Sequence, residues 1–442
     1  MAIEILPKGL NGTVHVPPSK SISHRAIIAG ALSQGKSTIR NIMLSEDIKA
    51  TCNALISLGV RIEIRKDEGN RHQIIIYGKG KLKPVETIID CIESGSTLRF
   101  LIPIAALTGG KVTFKGRGKL IERPLNIYYE IFEKQGIEYR NNDGELPLTI
   151  YGRLEPDNFY VRGDISSQFI TGLLFVLPLL EDDSKIIMET PLQSKGYVDL
   201  TIDVLKNFGV HVENNNYNSF YIKGNQKYIS TTFDVEGDFS QAAFWLAAGV
   251  LSGSVACKGL NLNSLQGDRN ILKIIQAMRG KLEIDKDRII AYKSNLKAID
   301  IDASQIPDLV PIIAVMAALS EGRTIIKNAG RLRLKESDRL KAIARELNKI
   351  GGKISELDDS LIIEGVESFT GGTVDCWNDH RIAMALAVAA TRCKIPLVIM
   401  GEEAVSKSYP DFWKDYEELV SHRERFDLAQ LGGEISEWSM GQ

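Results

Sequence analysis

The chain has 442 residues, more than one ordinary hydrophobic core accommodates, so we expect two or three domains. With 44% hydrophobic and 25% charged residues, its composition is that of a globular protein and excludes a disordered one. The formal net charge of −2 excludes a nucleic-acid binder that relies on bulk positive charge, so any strong positive field must be local.

The sequence carries no recognisable targeting or membrane signal. Its first residues lack the basic, apolar and small-residue order of a signal peptide. The longest apolar runs, 169–180 and 309–319, are interrupted by Pro178 and Pro311. The five cysteines are odd in number, widely spread and without CxxC spacing, which indicates reduced, mostly buried thiols. We therefore expect a cytoplasmic protein that binds neither membrane nor nucleic acid.

In chain order, the first informative stretch is 17–25, which leads into an apolar helix. Two prolines give an extended approach, and Ser19 is placed to cap the helix. Lys20, Ser21 and Arg25 then lie near a helix N-terminus, where free N–H groups and the helix dipole favour anions. The stretch predicts an anionic ligand. The alternative is a capped surface helix with two solvated cations.

Residues 30–37 match the P-loop pattern GxxxxGK[ST], which requires a strand before the loop and a helix after it. Here a predicted helix precedes the match and the β-like run 38–42 follows it. The order is reversed, so we expect no phosphate loop. An ATP-dependent P-loop enzyme is an alternative that depends on this motif alone.

The arrangement at 17–25 recurs at intervals of roughly 70 residues. Each time a β-like run ends in a polar cluster, and the cluster opens an apolar helix rich in small residues. The six copies begin at Val16, Ile89, Val161, Val235, Ile301 and Val374. Each copy also has a second predicted helix. Five of these helices end at a glycine: 44–58, 124–135, 197–208, 270–279 and 334–350. The sixth, 411–420, has no such glycine.

This periodicity predicts an α/β protein of two lobes, each made of three repeated β-α-β-α-β-β units, with six pseudo-repeats in total. Unrelated duplications that share a pattern are the alternative. The polar tail 422–442 breaks the pattern, and no function is assigned to it.

Cations recur at equivalent positions of the copies, and in a duplicated fold such positions can converge on one cleft. They stand in the polar clusters or beside the second helices: Lys20, Arg25, Arg99, Arg123, Lys195, Lys335, Arg339, His380, Arg381 and Lys407. The sequence contains no metal-binding signature, so neither a metal nor a cofactor is expected.

The segment 331–339 gives the most specific indication of an anion-binding site. Lys335 and Arg339 are four residues apart, which would place them on one face of a helix. Two like charges at this spacing repel each other by about 0.2–0.5 kcal/mol unless an anion lies between them. That anion is either a neighbouring carboxylate, Glu336 or Asp338, or a substrate group. A substrate anion would leave Glu336 free as a general acid or base.

Two further polar clusters carry candidate residues. Asp308 lies between Pro307 and an apolar run, where it is either a helix N-cap or an acid–base residue. His380 places a titratable imidazole beside the guanidinium of Arg381. The residues alone leave these alternatives open.

Taken together, these stretches resemble the enolpyruvyl transferases. The resemblance covers 5–419 and rests on separated motifs in the same order: 18–25 PSKSISHR, 94–99 SGSTLR, 123–124 RP, 166–168 SSQ, 194–197 SKGY, 335–339 KESDR and 378–381 NDHR. It implies an inside-out α/β barrel architecture of two lobes joined by two crossovers, and a monomer. One lobe would span 20–236, and the other would combine 1–19 with 237–421.

The resemblance implies transfer of the enolpyruvyl group of phosphoenolpyruvate to the 5-hydroxyl of shikimate 3-phosphate, with release of phosphate, in aromatic amino-acid biosynthesis. Shikimate 3-phosphate would be bound by Lys20, Ser21, Arg25, Ser166, Ser167, Gln168, Ser194, Tyr197, Asp308 and Lys335. Phosphoenolpyruvate would be bound by Lys20, Gly95, Arg123, Gln168, Arg339, His380, Arg381 and Lys407. Arginine forks suit the carboxylate and phosphate groups of these substrates.

The same resemblance assigns catalytic roles to Asp308, Glu336 and Lys20. Asp308 would accept the proton of the attacking hydroxyl. Glu336 would protonate the methylene carbon of phosphoenolpyruvate and later take a proton back. Lys20 would contact both substrates.

Three residues depart from the family pattern: Glu93, Arg331 and Gly196. The carboxylate of Glu93 would either point away from the phosphoenolpyruvate site or pair with a cation. Gly95 keeps the small residue that access of the family inhibitor glyphosate to this site requires.

The nearest alternative is a sibling enzyme that transfers the same group to UDP-N-acetylglucosamine. That sibling has Lys-Asn where Lys20 and Ser21 stand, and usually a reactive cysteine in the loop matching 116–123, which contains none here. Residues 335–339 also favour the shikimate enzyme. A non-catalytic repeat scaffold is a third alternative, which would need no converging acids and bases.

Overall fold

The computed structural model describes residues 1–67 and 69–420. The predicted tail 422–442 lies outside the described residues. Within the part that is described, no helix has both the length and the apolar character that crossing a membrane requires.

The described chain forms 23 short strands, whose order repeats the predicted alternation with helices. They are β1 (Ala2–Ile5), β2 (Asn11–His15), β3 (Gln34–Ile42), β4 (Arg61–Lys66), β5 (His72–Lys79), β6 (Ile88–Asp90), β7 (Lys111–Lys115), β8 (Glu138–Asn142), β9 (Glu145–Tyr151), β10 (Asn158–Val161), β11 (Ser184–Met188), β12 (Glu213–Asn215), β13 (Ser219–Ile222), β14 (Thr232–Asp234), β15 (Ser254–Lys258), β16 (Lys281–Ile284), β17 (Arg288–Tyr292), β18 (Ile301–Asp302), β19 (Arg323–Lys327), β20 (Lys353–Glu356), β21 (Leu361–Glu364), β22 (Gly372–Asp375) and β23 (Leu397–Met400).

Twelve α-helices alternate with these strands in the described chain. They are α1 (Lys20–Leu32), α2 (Glu46–Ser57), α3 (Gly95–Ala106), α4 (Asn126–Gln135), α5 (Ser167–Val176), α6 (Lys195–Asn207), α7 (Phe239–Ser252), α8 (Ile271–Ala277), α9 (Val310–Ala318), α10 (Arg339–Lys349), α11 (His380–Ala390) and α12 (412–420). Short 3₁₀ turns lie at Gly118–Leu120, Leu177–Leu179, Gly267–Asn270, Pro307–Leu309, Gly330–Leu334 and Glu402–Lys407.

The odd-numbered helices are the predicted apolar helices, and they form the centres of the lobes. Every residue of α9 and of α11 is buried, as expected for helices that are apolar or small all round. In one lobe α7, α9 and α11 pack on one another, and in the other α3 packs on α5. The even-numbered helices retain an exposed face.

The strands form six sheets, one for each predicted repeat. Five share one order, in which a parallel pair is followed by two antiparallel strands: β14-β3-β5-β4, β6-β7-β9-β8, β10-β11-β13-β12, β2-β15-β17-β16 and β18-β19-β21-β20. The sixth has three strands, β22-β23-β1, because the first strand of the chain occupies the edge where the other units place a hairpin. The predicted α/β class with six pseudo-repeats is confirmed, with a shorter sixth unit.

The crossovers between the lobes exchange the first strands of two units. β2 precedes α1 in the chain but pairs with β15, which follows α7. β14 precedes α7 but pairs with β3, which follows α1. The two connections lie side by side, since Ser19 N donates to Glu236 O and Asp238 N donates to Pro17 O, each at 2.8 Å. Helix α1 therefore begins where the chain crosses between lobes.

Two hydrophobic cores lie on either side of these crossovers. One is made of buried residues between Ile22 and Val235. The other combines Ile5, Leu10, Val14, Val16 and Met43 with residues 239–419. Each core is covered by three of the six sheets.

One helix prediction is wrong in a way that affects the site. The helix predicted at 334–350 begins at Arg339, because Asp338 caps it by accepting from Lys341 N. Lys335 precedes this cap in an extended conformation, so Lys335 and Arg339 do not share a helical face. The i, i+4 repulsion predicted for this pair is therefore absent.

The predicted glycine stops hold for Gly59, Gly136, Gly209 and Gly351, which have positive φ angles of 65–91°. Gly280 is the exception. There the left-handed position is taken by Arg279, with φ 64°.

Candidate active site

A cleft between the lobes, with about 970 Å³ of empty space, receives residues from the starts of all six odd-numbered helices. Its walls are formed by Lys20, Ser21, Arg25, Asp47, Gly95, Ser96, Arg99, Arg123, Pro124, Ile165, Ser166, Ser167, Gln168, Ser194, Tyr197, Asp238, Asp308, Arg331, Leu334, Lys335, Glu336, Arg339, His380 and Arg381. All the residues that the resemblance assigns to substrates or catalysis lie in this set except Lys407. Of the recurring cations, Lys195 also lies outside the set, and its Nζ is 4.9 Å from the ring centroid of Tyr217. The predicted convergence of the helix starts is confirmed.

The cleft is strongly positive although the chain as a whole carries a formal charge of −2. Eight arginine and lysine side chains line it, against four aspartate and glutamate side chains. Several donors in it are buried and have no hydrogen-bond partner among the described residues: Arg99 Nε, Arg123 Nε, Arg331 Nε and Arg381 Nε. Buried donors without partners are costly, so the cleft is suited to a ligand with several anionic groups.

The first helix start is not a solvated surface. Ser19 caps α1 by accepting from Ile22 N, as predicted. Lys20 Nζ donates to Asp47 Oδ2 at 2.8 Å, and Lys20 N donates to Asp238 Oδ2 at 3.1 Å. The alternative of two solvated cations is therefore wrong.

Arg25 is buried and largely engaged by the protein. Its Nε donates to Thr201 Oγ1 at 2.8 Å, its Nη1 to Ser21 O at 2.7 Å and its Nη2 to Tyr197 O at 3.0 Å. Arg25 thus ties α1 to α6 and fixes the backbone of Tyr197 at the cleft wall.

Arg339 joins the two candidate catalytic carboxylates. Its Nη1 donates to Asp308 Oδ1 at 2.9 Å and its Nη2 to Glu336 Oε2 at 2.6 Å. Its Nε donates to Asp379 Oδ2 at 2.8 Å, and Asp379 also caps α11 by accepting from Arg381 N. Only 1% of the Arg339 side chain is exposed. One buried guanidinium therefore sets the relative position of Asp308 and Glu336.

Asp308 does not cap a helix, so the N-cap alternative is wrong. It lies in the 3₁₀ turn before α9, and its carboxylate faces the cleft. Besides Arg339, it contacts Lys335 Nζ at 3.4 Å and Arg381 Nη2 at 3.0 Å. Burial would raise the pKa of Asp308, but Arg381, Lys335 and Arg339 together hold it well below its usual range.

Glu336 and His380 lie beside this group. Burial would raise the pKa of Glu336, but Arg339 and Arg123, the latter 3.5 Å from Oε1, hold it well below its usual range. Burial, aided by Lys20, lowers the pKa of His380 well below its usual value, so the imidazole is neutral. Neither ring nitrogen of His380 has a hydrogen-bond partner among the described residues.

The opposite wall is polar and comes from the other lobe. Ser166 caps α5 by accepting from Gln168 N, and Gln168 bridges Arg99 Nη1 at 2.9 Å to Ser96 Oγ at 3.0 Å. Ser194 Oγ accepts from Arg331 Nη2 at 2.5 Å across the cleft. The wall thus presents hydroxyl and amide groups at helix N-termini.

Lys407 stands apart from the other predicted residues. Its Nζ donates to Glu93 Oε2 at 2.6 Å and to Asn378 O at 2.7 Å, and it does not line the cleft. Glu93 lies beside the start of α3 and Lys407 in the 3₁₀ turn before α12, so the ion pair joins the two lobes. Of the two possibilities for Glu93, pairing with a cation is the one observed.

Sequence reasoning did not assign a substrate or catalytic role to Asp47, Asp238 or Arg331. Asp47 and Asp238 could have been found from local sequence patterns. Asp47 lies in the first turn of α2 after the cap Ser45, and Asp238 caps α7. Arg331 lies in a 3₁₀ turn and reaches Ser194 from a distant part of the chain, which no local pattern indicates.

The P-loop motif plays no part in the cleft. Gly35, Lys36 and Ser37 lie in β3, paired with β5, and are not placed between a strand and a helix. The alternative of an ATP-dependent P-loop enzyme is therefore wrong. Among the residues described, no group of three or more His, Cys, Asp or Glu side chains is arranged to hold a metal ion.

The cleft places two carboxylates, Asp308 and Glu336, among cations from both lobes. This arrangement is suited to binding an anion and to exchanging protons with it. Such a cleft between two three-unit lobes fits the class that the sequence motifs resemble, the enolpyruvyl transferases. In agreement, the enolpyruvyl transferase NikO from Streptomyces tendae matches the fold with a TM-score of 0.76 at 16% identity, over 95% of this chain and 96% of that one.

The sequence comparisons are more specific. A family model described as EPSP synthase (3-phosphoshikimate 1-carboxyvinyltransferase) matches residues 6–416. A relative from Clostridium novyi (strain NT), named 3-phosphoshikimate 1-carboxyvinyltransferase, is 54% identical over 100% of this chain and 99% of its own length. The structure of EPSP synthase from Acinetobacter baumannii matches with a TM-score of 0.77 at 26% identity, over 95% of this chain and 98% of that one. The chain belongs to the EPSP synthase family and is a transferase.

Proposed function

We propose that the chain transfers the enolpyruvyl group of phosphoenolpyruvate to the 5-hydroxyl of shikimate 3-phosphate and releases phosphate, as a step of aromatic amino-acid biosynthesis. The observation that carries this proposal is the cleft itself, in which eight cationic side chains from two lobes outnumber four acidic ones. Two substrates that both carry phosphate and carboxylate groups match this surplus of positive charge. Family membership gives the identity of the substrates.

For shikimate 3-phosphate we propose the polar wall and the crossover as the binding surface. Its ligands would be Lys20, Ser21, Arg25, Ser166, Ser167, Gln168, Ser194, Tyr197, Asp308 and Lys335, all of which line the cleft. The start of α5 supports this role, since Ser167 and Gln168 lie in its first turn beside free N–H groups. Arg25 would act mainly by holding Tyr197 in place.

For phosphoenolpyruvate we propose the opposite end of the cleft, with Lys20, Gly95, Arg123, Gln168, Arg339, His380 and Arg381 as ligands. Three groups without a hydrogen-bond partner among the described residues support this role: Arg123 Nε, Arg381 Nε and the imidazole of His380. Lys407 is already paired with Glu93. It would therefore bind phosphoenolpyruvate only if its ammonium group contacted the substrate and Glu93 at the same time.

In the proposed reaction, the 5-oxygen of shikimate 3-phosphate forms a bond to C2 of phosphoenolpyruvate while Asp308 takes the hydroxyl proton and Glu336 gives a proton to C3. The resulting tetrahedral intermediate then loses phosphate as the C2–O bond to it breaks, and Glu336 takes a proton back from the methyl group. The departing phosphate carries off the proton that Asp308 took. Arg339 supports both steps because it fixes Asp308 and Glu336 on one guanidinium.

Phosphate release is the experiment that tests this function. Purified protein should release inorganic phosphate only when phosphoenolpyruvate and shikimate 3-phosphate are both present, without ATP. Release with UDP-N-acetylglucosamine in place of shikimate 3-phosphate would overturn the substrate. No release with either acceptor would overturn the function.

Gly95→Ala is expected to raise KM for phosphoenolpyruvate by about tenfold or more and to change KM for shikimate 3-phosphate much less. A methyl group at this position would lie 2.5 Å from Arg123 Nη1, so the guanidinium must move away from its place in the cleft. The measurement is steady-state phosphate release with each substrate varied in turn.

The matched control for this variant is Gly110→Ala, where the nearest neighbour of the added methyl group, Thr108 Oγ1, is 3.7 Å away. The control should keep both KM values. An unchanged KM for phosphoenolpyruvate in Gly95→Ala would show that Arg123 does not bind this substrate.

We also propose that 20–236 and 1–19 with 237–421 act as two lobes that close on the substrates, and that the protein is a cytoplasmic monomer open to inhibition by glyphosate at the phosphoenolpyruvate site. The two separate cores support the lobes, and the five free cysteines support a reducing compartment. Light scattering tests the monomer, for which the mass is 48.9 kDa.

A further inference from the structure

A phenol held between two carboxylates lies at the cleft wall. The hydroxyl oxygen of Tyr197 is 2.9 Å from Asp268 Oδ2 and 3.0 Å from Asp308 Oδ2. Asp268 lies in the 3₁₀ turn before α8 and is 4% exposed. It does not line the cleft, so it reaches the reaction only through Tyr197.

The hydrogen atoms at this triad can be counted. A phenol carries one proton and an ionised carboxylate only accepts, so with two ionised aspartates Tyr197 would have to share its proton between them in two weakened bonds. If one aspartate carries a proton and donates it to the phenol oxygen, both short contacts become full hydrogen bonds. Two carboxylates at hydrogen-bond distance from one phenol therefore favour one neutral carboxyl group.

The surroundings decide which aspartate is neutral. Asp308 is contacted by Arg339, Lys335 and Arg381, which stabilise its charge. No cation of the described chain forms an ion pair with Asp268 within 4.0 Å, and its Oδ1 is buried without a hydrogen-bond partner among the described residues. A bare, ionised oxygen there would be far more costly than a neutral carboxyl group.

We propose that Asp268 is a positioning residue of the proposed reaction: it stays protonated and donates to the phenol oxygen of Tyr197, which directs the phenol proton to Asp308. This inference rests on the proposed function. The charge of Asp308 is then supported from one side by cations and from the other by an oriented hydroxyl.

The groups around Asp268 make this arrangement sensitive to pH. Tyr197, Asp308, Asp238 and Arg381 face it from α6, the turn before α9, the start of α7 and α11. Burial raises the pKa of Asp268 to about 7, and the charges of Asp308 and Asp238 add to this effect while Arg381 opposes it. Above that pH a second carboxylate would compete for the phenol proton, so kcat should decline as pH rises through about 7.

Asp268→Asn tests this orientation because its amide N–H replaces the carboxyl proton and cannot be lost. At about pH 6 its kcat should stay within about threefold of wild type, and the decline above about pH 7 should disappear. Asp268→Leu, which has no donor, should lower kcat by about tenfold or more at every pH. The matched control is Asp199→Asn on the same helix as Tyr197, whose carboxylate accepts from the phenol of Tyr217 outside the cleft. It should keep the wild-type pH profile.

A second measurement needs no activity. The ¹³C-labelled aspartate carboxyl groups are titrated by NMR in an Asp415→Asn background, since burial also raises the pKa of Asp415, to about 6. One resonance should titrate near pH 7. The proposal is overturned if every aspartate titrates below about pH 5, or if Asp268→Asn keeps the alkaline decline. Failure of wild type to release phosphate would instead overturn the proposed function, and the NMR result would stand separately.

Discussion

Replacing Glu336 with glutamine is expected to lower kcat by at least about 10²-fold and to change shikimate 3-phosphate binding little. Glutamine keeps the shape of the side chain and can still accept from Arg339 Nη2, which lies 2.6 Å from Oε2. It cannot exchange a proton with carbon. Phosphate release gives kcat, and calorimetric titration with shikimate 3-phosphate gives the affinity.

The charge state of Glu336 adds a second expectation. Arg339 and Arg123 hold the pKa of this buried carboxyl well below its usual range, so it is ionised and carries no proton to give. An anionic substrate on the same arginines would weaken their hold and raise the pKa of Glu336. Wild type should therefore take up a proton when phosphoenolpyruvate binds, and Glu336→Gln should not. Calorimetry in buffers of different ionisation enthalpy measures this uptake.

Glu356→Gln is the matched control, because Glu356 is also paired with an arginine, Arg333 at 2.6 Å, but lies outside the cleft. It should keep both kcat and proton uptake. Near-normal turnover in Glu336→Gln would show that another group protonates the substrate.

Much of the fold could be predicted because its signals are local and repeated. Five of the apolar helices are capped by the side chain of a serine or aspartate that precedes the helix in the sequence: Ser19, Ser94, Ser166, Asp238 and Asp379. Six helix starts of the same pattern, five of them capped in this way, already predict a common cleft. The strand exchange of β2 and β14 cannot be predicted in this way, since it depends on pairing between segments about 200 residues apart.

The ion pairs of the site were harder to predict where they join segments that are distant in the sequence. The helical spacing of Lys335 and Arg339 was misleading, because Asp338 caps a helix that starts four residues later than Lys335. Arg339 does bind the two candidate catalytic carboxylates, but it does so through its guanidinium group and not because it shares a helical face with Lys335. The pairing of Glu93 with Lys407 joins residues 314 positions apart, which no local pattern encodes.

Asp308 is the second carboxylate on which turnover should depend. Three cations and one phenol surround it, and its pKa is held well below the usual range in spite of burial. Its charge therefore stabilises the folded protein above the unfolded-state pKa of about 4, and this contribution is lost as pH falls through the lower folded-state pKa. Removing the charge leaves Arg339, Lys335 and Arg381 to repel one another across the cleft.

Asp308→Asn should therefore lower kcat by at least about 10²-fold and lower the free energy of unfolding by up to about 3–5 kcal/mol at neutral pH. The stability difference from wild type should shrink as pH is lowered below about 4, and added inorganic phosphate should restore part of it by binding the freed cations. Thermal unfolding across pH measures this, and phosphate release measures kcat on the folded fraction. Asp285→Asn, which removes an exposed carboxylate paired with Arg288, should change neither quantity. If Asp308→Asn is folded and turns over at a rate near that of wild type, the hydroxyl proton must go to another group, because asparagine offers no site that can accept it.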